Sequence, residues 1–163
     1  MVLFKTETTP LTNVTTLFLR LALAAVMFPH GAQKLLGWFG GHGFEGAMLQ
    51  FTQGLHIPAI LAFLAIIAEF FGALGVLTGL LTRVAAFGIG SVMTTAMVLI
   101  HLKHGFFMNW SGQATGEGVE YFLLAIAISL SLVVLGGGGW SLDQLFFGRL
   151  AKTVRVPEGA TSA

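Results

Sequence analysis

Four long apolar runs, separated by short polar or glycine-rich stretches, make up most of the chain. They extend from about Leu11 to Leu36, Pro58 to Leu81, Arg83 to Leu102 and Val119 to Leu135. A helix needs about 20 apolar residues to cross the hydrocarbon core, so each run predicts a membrane-spanning helix. Strands are disfavoured, because membrane strands alternate apolar and polar positions over only about ten residues. Only Leu81-Thr82-Arg83 separates the second run from the third, which predicts a tight antiparallel hairpin. The expected architecture is all-α: an integral membrane four-helix bundle, one domain over residues 1–163, with both termini on one side.

The stretches between the runs are short. Trp38 to Ile57 opens with Phe39-Gly40-Gly41-His42-Gly43 and continues as Phe44-Glu45-Gly46-Ala47-Met48-Leu49, which predicts an interfacial half-helix. Gly41, Gly43 and Gly46 form a nominal dinucleotide-binding G-x-G-x-x-G, but no strand precedes it and the motif is rejected. After the fourth run, Gly136 to Gly139 stops the helix. Ser141-Leu142-Asp143-Gln144 then fits a capping box, with Ser141 as N-cap of a second short amphipathic helix.

Composition narrows the class. Charged residues are 9% of the chain and hydrophobic residues 55%, against roughly 25% charged in a soluble domain. A net charge of +1 gives no basic field for nucleic acid. The absence of cysteine removes disulfides, thiolate metal sites and dithiol redox chemistry. Lys5, Arg83, Arg149, Lys152 and Arg155 fall on the side of the termini, with Lys34 and Lys103 opposite. By the positive-inside rule the termini are cytoplasmic, in a bacterial inner membrane.

Ionisable groups within a span are costly and need a partner or a function. Arg20, His30 and Lys34 share one stripe of the first helix, Lys34 about 40° and Arg20 about 80° from His30. Glu69 lies in the second helix, and by depth it is expected to form an intramembrane ion pair with Arg20. Ser91, Thr94, Met97 and His101 share a face of the third helix, followed by His104, and Glu120 opens the fourth. Each helix thus has one polar seam, and the seams are expected to face inward. All five histidines fall in the outer half or the outer loops. His30, Lys34, His101, His104 and Glu120 are therefore expected to converge on an outward-facing ligand pocket, with Lys34 and Glu120 stabilising each other. His101, His104 and Glu120 contain the residue types of a metal site. No metal is expected, since histidines at i and i+3 are common at helix ends. Gly72, Gly75 and Gly79 are expected to allow close helix packing.

The string Phe28-Pro29-His30-Gly31-Ala32-Gln33-Lys34, preceded by Arg20, resembles the opening helix of the DoxX family. Ala68-Glu69-Phe70-Phe71-Gly72 and Gly79-Leu80-Leu81-Thr82-Arg83 are similar to its second helix and turn. His101, Gly105-Phe106-Phe107, Glu120-Tyr121 and Gly139-Trp140-Ser141-Leu142-Asp143 continue the likeness in order, from about residue 13 to 147. The resemblance implies a small four-helix inner-membrane protein. It also points to membrane subunits of quinone-linked oxidoreductases, including thiosulfate:quinone oxidoreductase. Three functions then compete. The first is a redox-complex subunit holding a quinone, its electrons arriving from a partner subunit. The others are a transporter or channel for a small solute or proton, and a purely structural scaffold or membrane-stress protein; any of the three is compatible with a homo-oligomer. No catalytic residue is assigned.

Overall fold

The computed structural model of the chain describes residues 9–153, with side chains described as far as Gly148. Lys5, Arg155 and the side chains of Arg149 and Lys152, which carry most of the expected orientation, lie outside the described residues. Those residues form six α-helices and no strand: α1 (Pro10–Leu36), α2 (Gly43–Leu49), α3 (Ala59–Thr78), α4 (Thr82–Ala96), α5 (Glu120–Leu135) and α6 (Leu142–Thr153). Thr9 starts α1 by accepting from the Thr12 N–H at 3.1 Å, with Pro10 in the first turn, where its missing N–H costs nothing. The helix runs on through Pro29 and stops at Gly37, whose φ of 73° closes the C-terminus. Beyond Ala96, α4 continues through a π turn (Met97–His101) and a 3-10 turn (Leu102–His104).

Among the described residues, three helices are long and apolar enough to cross a membrane: α1, α3 and the Thr82–His104 rod. The fourth apolar helix, α5, has 16 residues, about 24 Å at 1.5 Å per residue, short of a hydrocarbon core of about 30 Å. The chain is used up at both of its ends. The loop before it folds back through Gly118 N–H to Phe107 O, Val119 N–H to Gly105 O and Glu120 N–H to Phe106 O at 3.0–3.1 Å. At its other end Gly136, with φ 77°, breaks the helix.

α1 packs on α3, α3 on α4, α4 on α5, and α5 returns to α1. Leu23, Met27, Val76, Ile89, Phe122 and Leu132 form the apolar centre. Gly31 sets the register of the first pair: a Cβ there would lie 2.6 Å from the Phe70 backbone and 2.8 Å from the Glu69 carbonyl carbon. Gly72 and Gly75 let α3 close on Ile89 and Ala85 of α4 in the same way. The polar seams do not face inward throughout. Ser91 and His101 line the cavity described below, but Thr94 of the same seam is exposed outside it and donates to the carbonyl of Gly90 at 2.8 Å. A hydroxyl satisfied by its own helix is cheap to present to lipid, so phase alone did not fix the direction of Thr94.

The end where α3 turns into α4 is tied by α6. Both carboxylate oxygens of the buried Asp143 accept from backbone: Leu81 N–H at 2.6 Å and Thr82 N–H at 2.8 Å. Asp143 is thus a cap for the N-terminus of α4, supplied from a different helix. Ser141 takes the expected N-cap position of α6, accepting from Gln144 N–H at 3.2 Å. Asp143→Ala is expected to lower stability by about 2 kcal/mol, the upper range for a lost cap, and Asp143→Asn by about half of that. Thermal unfolding in detergent reads the difference; equal losses would mean that the charge contributes nothing.

Candidate functional site

Register explains which polar groups meet. With Gly31 opposite Glu69 and Phe70, Lys34 lies one turn beyond the contact, and its ammonium reaches Glu69 Oε2 at 2.5 Å. Arg20 lies eleven residues the other way, about 16 Å along the axis, too far from Glu69. The expected Arg20–Glu69 pair is therefore replaced by Lys34–Glu69, and the expected Lys34–Glu120 pairing does not form. Arg20 is buried instead among carbonyls. Its guanidinium donates to Val76 O at 2.9 Å, Leu77 O at 2.8 Å, Gly137 O at 3.0 Å and Trp140 O at 2.8 Å. All four are helix-end or loop acceptors, which a planar five-donor group satisfies together.

The Lys34–Glu69 pair forms part of the floor of a cavity of about 880 Å³ between α1, α3, α4 and α5. Glu69 is buried, with its side chain 3% exposed, while that of Lys34 keeps 25%. His30 and His101 line the same cavity, as do Tyr121 and Phe122. The rings form a continuous series: His30 to Tyr121 at 6.3 Å, Tyr121 to Phe122 at 5.2 Å, Phe122 to His101 at 4.2 Å between centroids. His101 Nδ1 lies 2.9 Å from the Glu117 carbonyl, which only accepts, so that nitrogen carries a proton and Nε2, in the neutral ring, is an acceptor. Among the described residues the Tyr121 hydroxyl finds the Met27 sulfur, at 3.5 Å, a weak acceptor. Both π turns, Gln50–Gly54 and Met97–His101, contribute to the lining, and so does His56, held at φ 54°.

Two expected site residues lie elsewhere. Glu120 Oε1 accepts from Met108 N–H at 2.9 Å and Trp110 Nε1–H at 3.0 Å, which fastens the loop between α4 and α5. His104 sits in the 3-10 turn against Gly116, where a Cβ would meet its ring at 2.6 Å. Neither lines the cavity, and among the described residues no group of three His, Cys, Asp or Glu is placed to hold a metal. Sequence reasoning missed Tyr121 and misassigned Glu69. The signal for Tyr121 was its place one residue after Glu120, on a turn facing the His30 stripe.

Long apolar helices around a cavity with an ion-paired floor define an integral membrane protein of helical type. The DoxX family model matches residues 15–102, more than half of the chain, and the protein belongs to the DoxX family. It is 26% identical to "Putative oxidoreductase CatD" of Bacillus subtilis over 83% of this chain and 89% of that one. It is 32% identical to the "Inner membrane protein YqjF" of Escherichia coli over 67% of this chain and 78% of that one. No solved structure matches the chain significantly.

Proposed function

We propose that this protein is the membrane subunit of a quinone-linked oxidoreductase in a bacterial inner membrane, and that the quinone ring sits in the cavity lined by His30, Lys34, Glu69, His101 and Tyr121. The observation that carries this reading is a mostly apolar-lined space into which His30, Lys34, Glu69, His101 and Tyr121 bring hydrogen-bonding groups. A volume of about 880 Å³ lies within the range of small-molecule sites, roughly 300–1,000 Å³. Quinone carbonyls accept hydrogen bonds, and the Tyr121 hydroxyl, the Lys34 ammonium and a His30 N–H are donors. His101 Nε2 is an acceptor suited to a quinol hydroxyl. Reduction of a quinone to quinol takes up two electrons and two protons. The chain has no cysteine and supplies no thiolate redox centre, so the electrons come from a partner subunit in this reading. The name of the Bacillus subtilis relative points the same way.

In this arrangement α5 is the fourth span, tolerated at 16 residues because its ends are buried in loops, and α2 and α6 lie at the two interfaces. Both termini are cytoplasmic and the cavity belongs to the outer half. Reporter fusions at Gly43 and after the last residue should then respond from opposite sides; the same side for both would end the four-span arrangement.

Mass spectrometry of organic extracts from purified protein is expected to find a bound quinone. His30→Phe and His101→Phe should each cut its retention about tenfold, the loss of about 1.4 kcal/mol of binding, with thermal unfolding unchanged. His104→Phe, outside the cavity, should retain it. No quinone from the wild-type protein would end the reading, and pH-dependent solute flux in liposomes would then favour a transporter.

A further inference from the structure

α3 and α4 are held together at one end and part at the other. The tight turn at Gly79–Leu81 joins them, and their contact extends up to Gly88, where a Cβ would lie 3.3 Å from Ala68 Cβ. Beyond that level residues of both helices line the cavity: Leu61, Leu64 and Ala65 on α3, Ser91, Thr95 and Leu99 on α4. All of these except the half-buried Ala65 are exposed, so the cavity opens sideways through the gap. Both helices are long and apolar enough to span the bilayer, so outside this gap lies hydrocarbon. Behind it lies the Lys34–Glu69 pair.

We propose that the cavity is entered from the bilayer through the α3–α4 cleft, and that its ligand is a long-tailed amphiphile whose hydrocarbon tail remains in the cleft while its polar ring reaches the floor. The inference rests on the quinone reading and narrows the ligand to quinones with a long prenyl tail. Depth selects this occupant. Glu69 is the eleventh residue of α3, about 15 Å along the axis from its start. A phospholipid headgroup stays at the surface and does not descend that far. A helix from a second copy would press apolar side chains onto the ion pair and leave its open face unsolvated. A ring that accepts hydrogen bonds, joined to an apolar tail, meets both halves of the site. Thr95 and Ser91 keep the cleft wide, because their hydroxyls turn back onto the carbonyls of Ser91 and Phe87.

The chain has no cysteine, so single-cysteine variants can be spin-labelled without a background. Thr95→Cys reports on the cleft, and Val98→Cys, exposed and away from the cavity lining, is the control. Both are reconstituted into phospholipid bilayers and probed with oxygen, which partitions into lipid, and a water-soluble nickel chelate. At Thr95→Cys oxygen access should be high and nickel access low. A long-tailed prenyl quinone should lower the oxygen effect severalfold there and leave Val98→Cys unchanged, and the tail-less ring should do neither. Nickel access would mean a water-filled cleft, and spin–spin broadening without ligand would mean a second copy covering it; either overturns the inference. Quinone in the organic extract with no response at Thr95→Cys overturns the inference alone. No extracted quinone and no response overturns the quinone reading with it.

Discussion

Arg20→Leu is expected to be among the most damaging single substitutions in the protein, with a loss of about 4–6 kcal/mol. Arg20 is 2% exposed and serves four carbonyls from three parts of the chain: the end of α3, the Gly136–Gly139 break and Trp140. Val76 O keeps the Gly79 N–H at 3.2 Å, but the other three acceptors lose the guanidinium, at about 1–3 kcal/mol for a buried acceptor left without a donor, and leucine offers none. Arg20→Lys should recover a minor part, since an ammonium cannot reach in three directions from one plane. Because Arg20 and Glu69 do not touch, Arg20→Leu combined with Glu69→Leu should show additive losses. Thermal unfolding of the four proteins in one detergent measures this cycle, and recovery in the double variant would restore the pairing that depth along the sequence suggested.

The second large effect is expected at Lys34. Removing one partner of a buried pair costs about 3–5 kcal/mol, because the other charge is left unsolvated. The pair is unequal: the Glu69 side chain is 3% exposed and that of Lys34 25%. Lys34→Met strands the deeper carboxylate and should reach the full cost. Glu69→Gln strands an ammonium that keeps some contact with its surroundings and retains a hydrogen-bond acceptor, so its cost should be less than half as great. Lys34→Met with Glu69→Leu should recover most of the loss. Equal effects of the two single substitutions would mean that both ends are equally solvated, and the cavity floor would have to be redrawn.

Much of this fold is legible in the sequence because helix length, glycine stops and capping residues are local signals. Gly136 and Ser141 act where linear reading puts them, whereas Gly79, expected to serve helix packing, closes α3 at φ 72°. The partner of Glu69 is different in kind. It depends on how far α1 slides along α3, and that offset is set by Gly31 against the backbone of Phe70, a contact 39 residues apart in sequence. Helical phase placed His30, Lys34 and His101 toward a shared space, yet phase does not distinguish a residue facing the core from one facing lipid when its hydroxyl bonds its own helix, as at Thr94. Glu120 has the residue type of a ligand-binding acid, and its use in fastening Met108 and Trp110 depends on how the intervening loop folds. Tyr121 and Glu120 are adjacent in sequence but serve different ends: the acid fastens the loop, and the ring beside it lines the cavity.

The arginine and its carbonyls also impose an order on biosynthesis. Val76 and Leu77 follow Arg20 by fewer than 60 residues, whereas Gly137 and Trp140 follow it by 117 and 120. Asp143 in turn reaches back 62 residues to Leu81. During synthesis the first three membrane helices can be inserted while the arginine has half of its acceptors and α4 has no cap. The short segment from Gly136 to Asp143 supplies both at once, so a stretch made after the membrane helices acts as a latch on helices already in the bilayer. A chain stopped just before it would contain every apolar helix and still present a buried cation and a bare helix start, the kind of defect by which membrane proteases distinguish unfinished chains from finished ones.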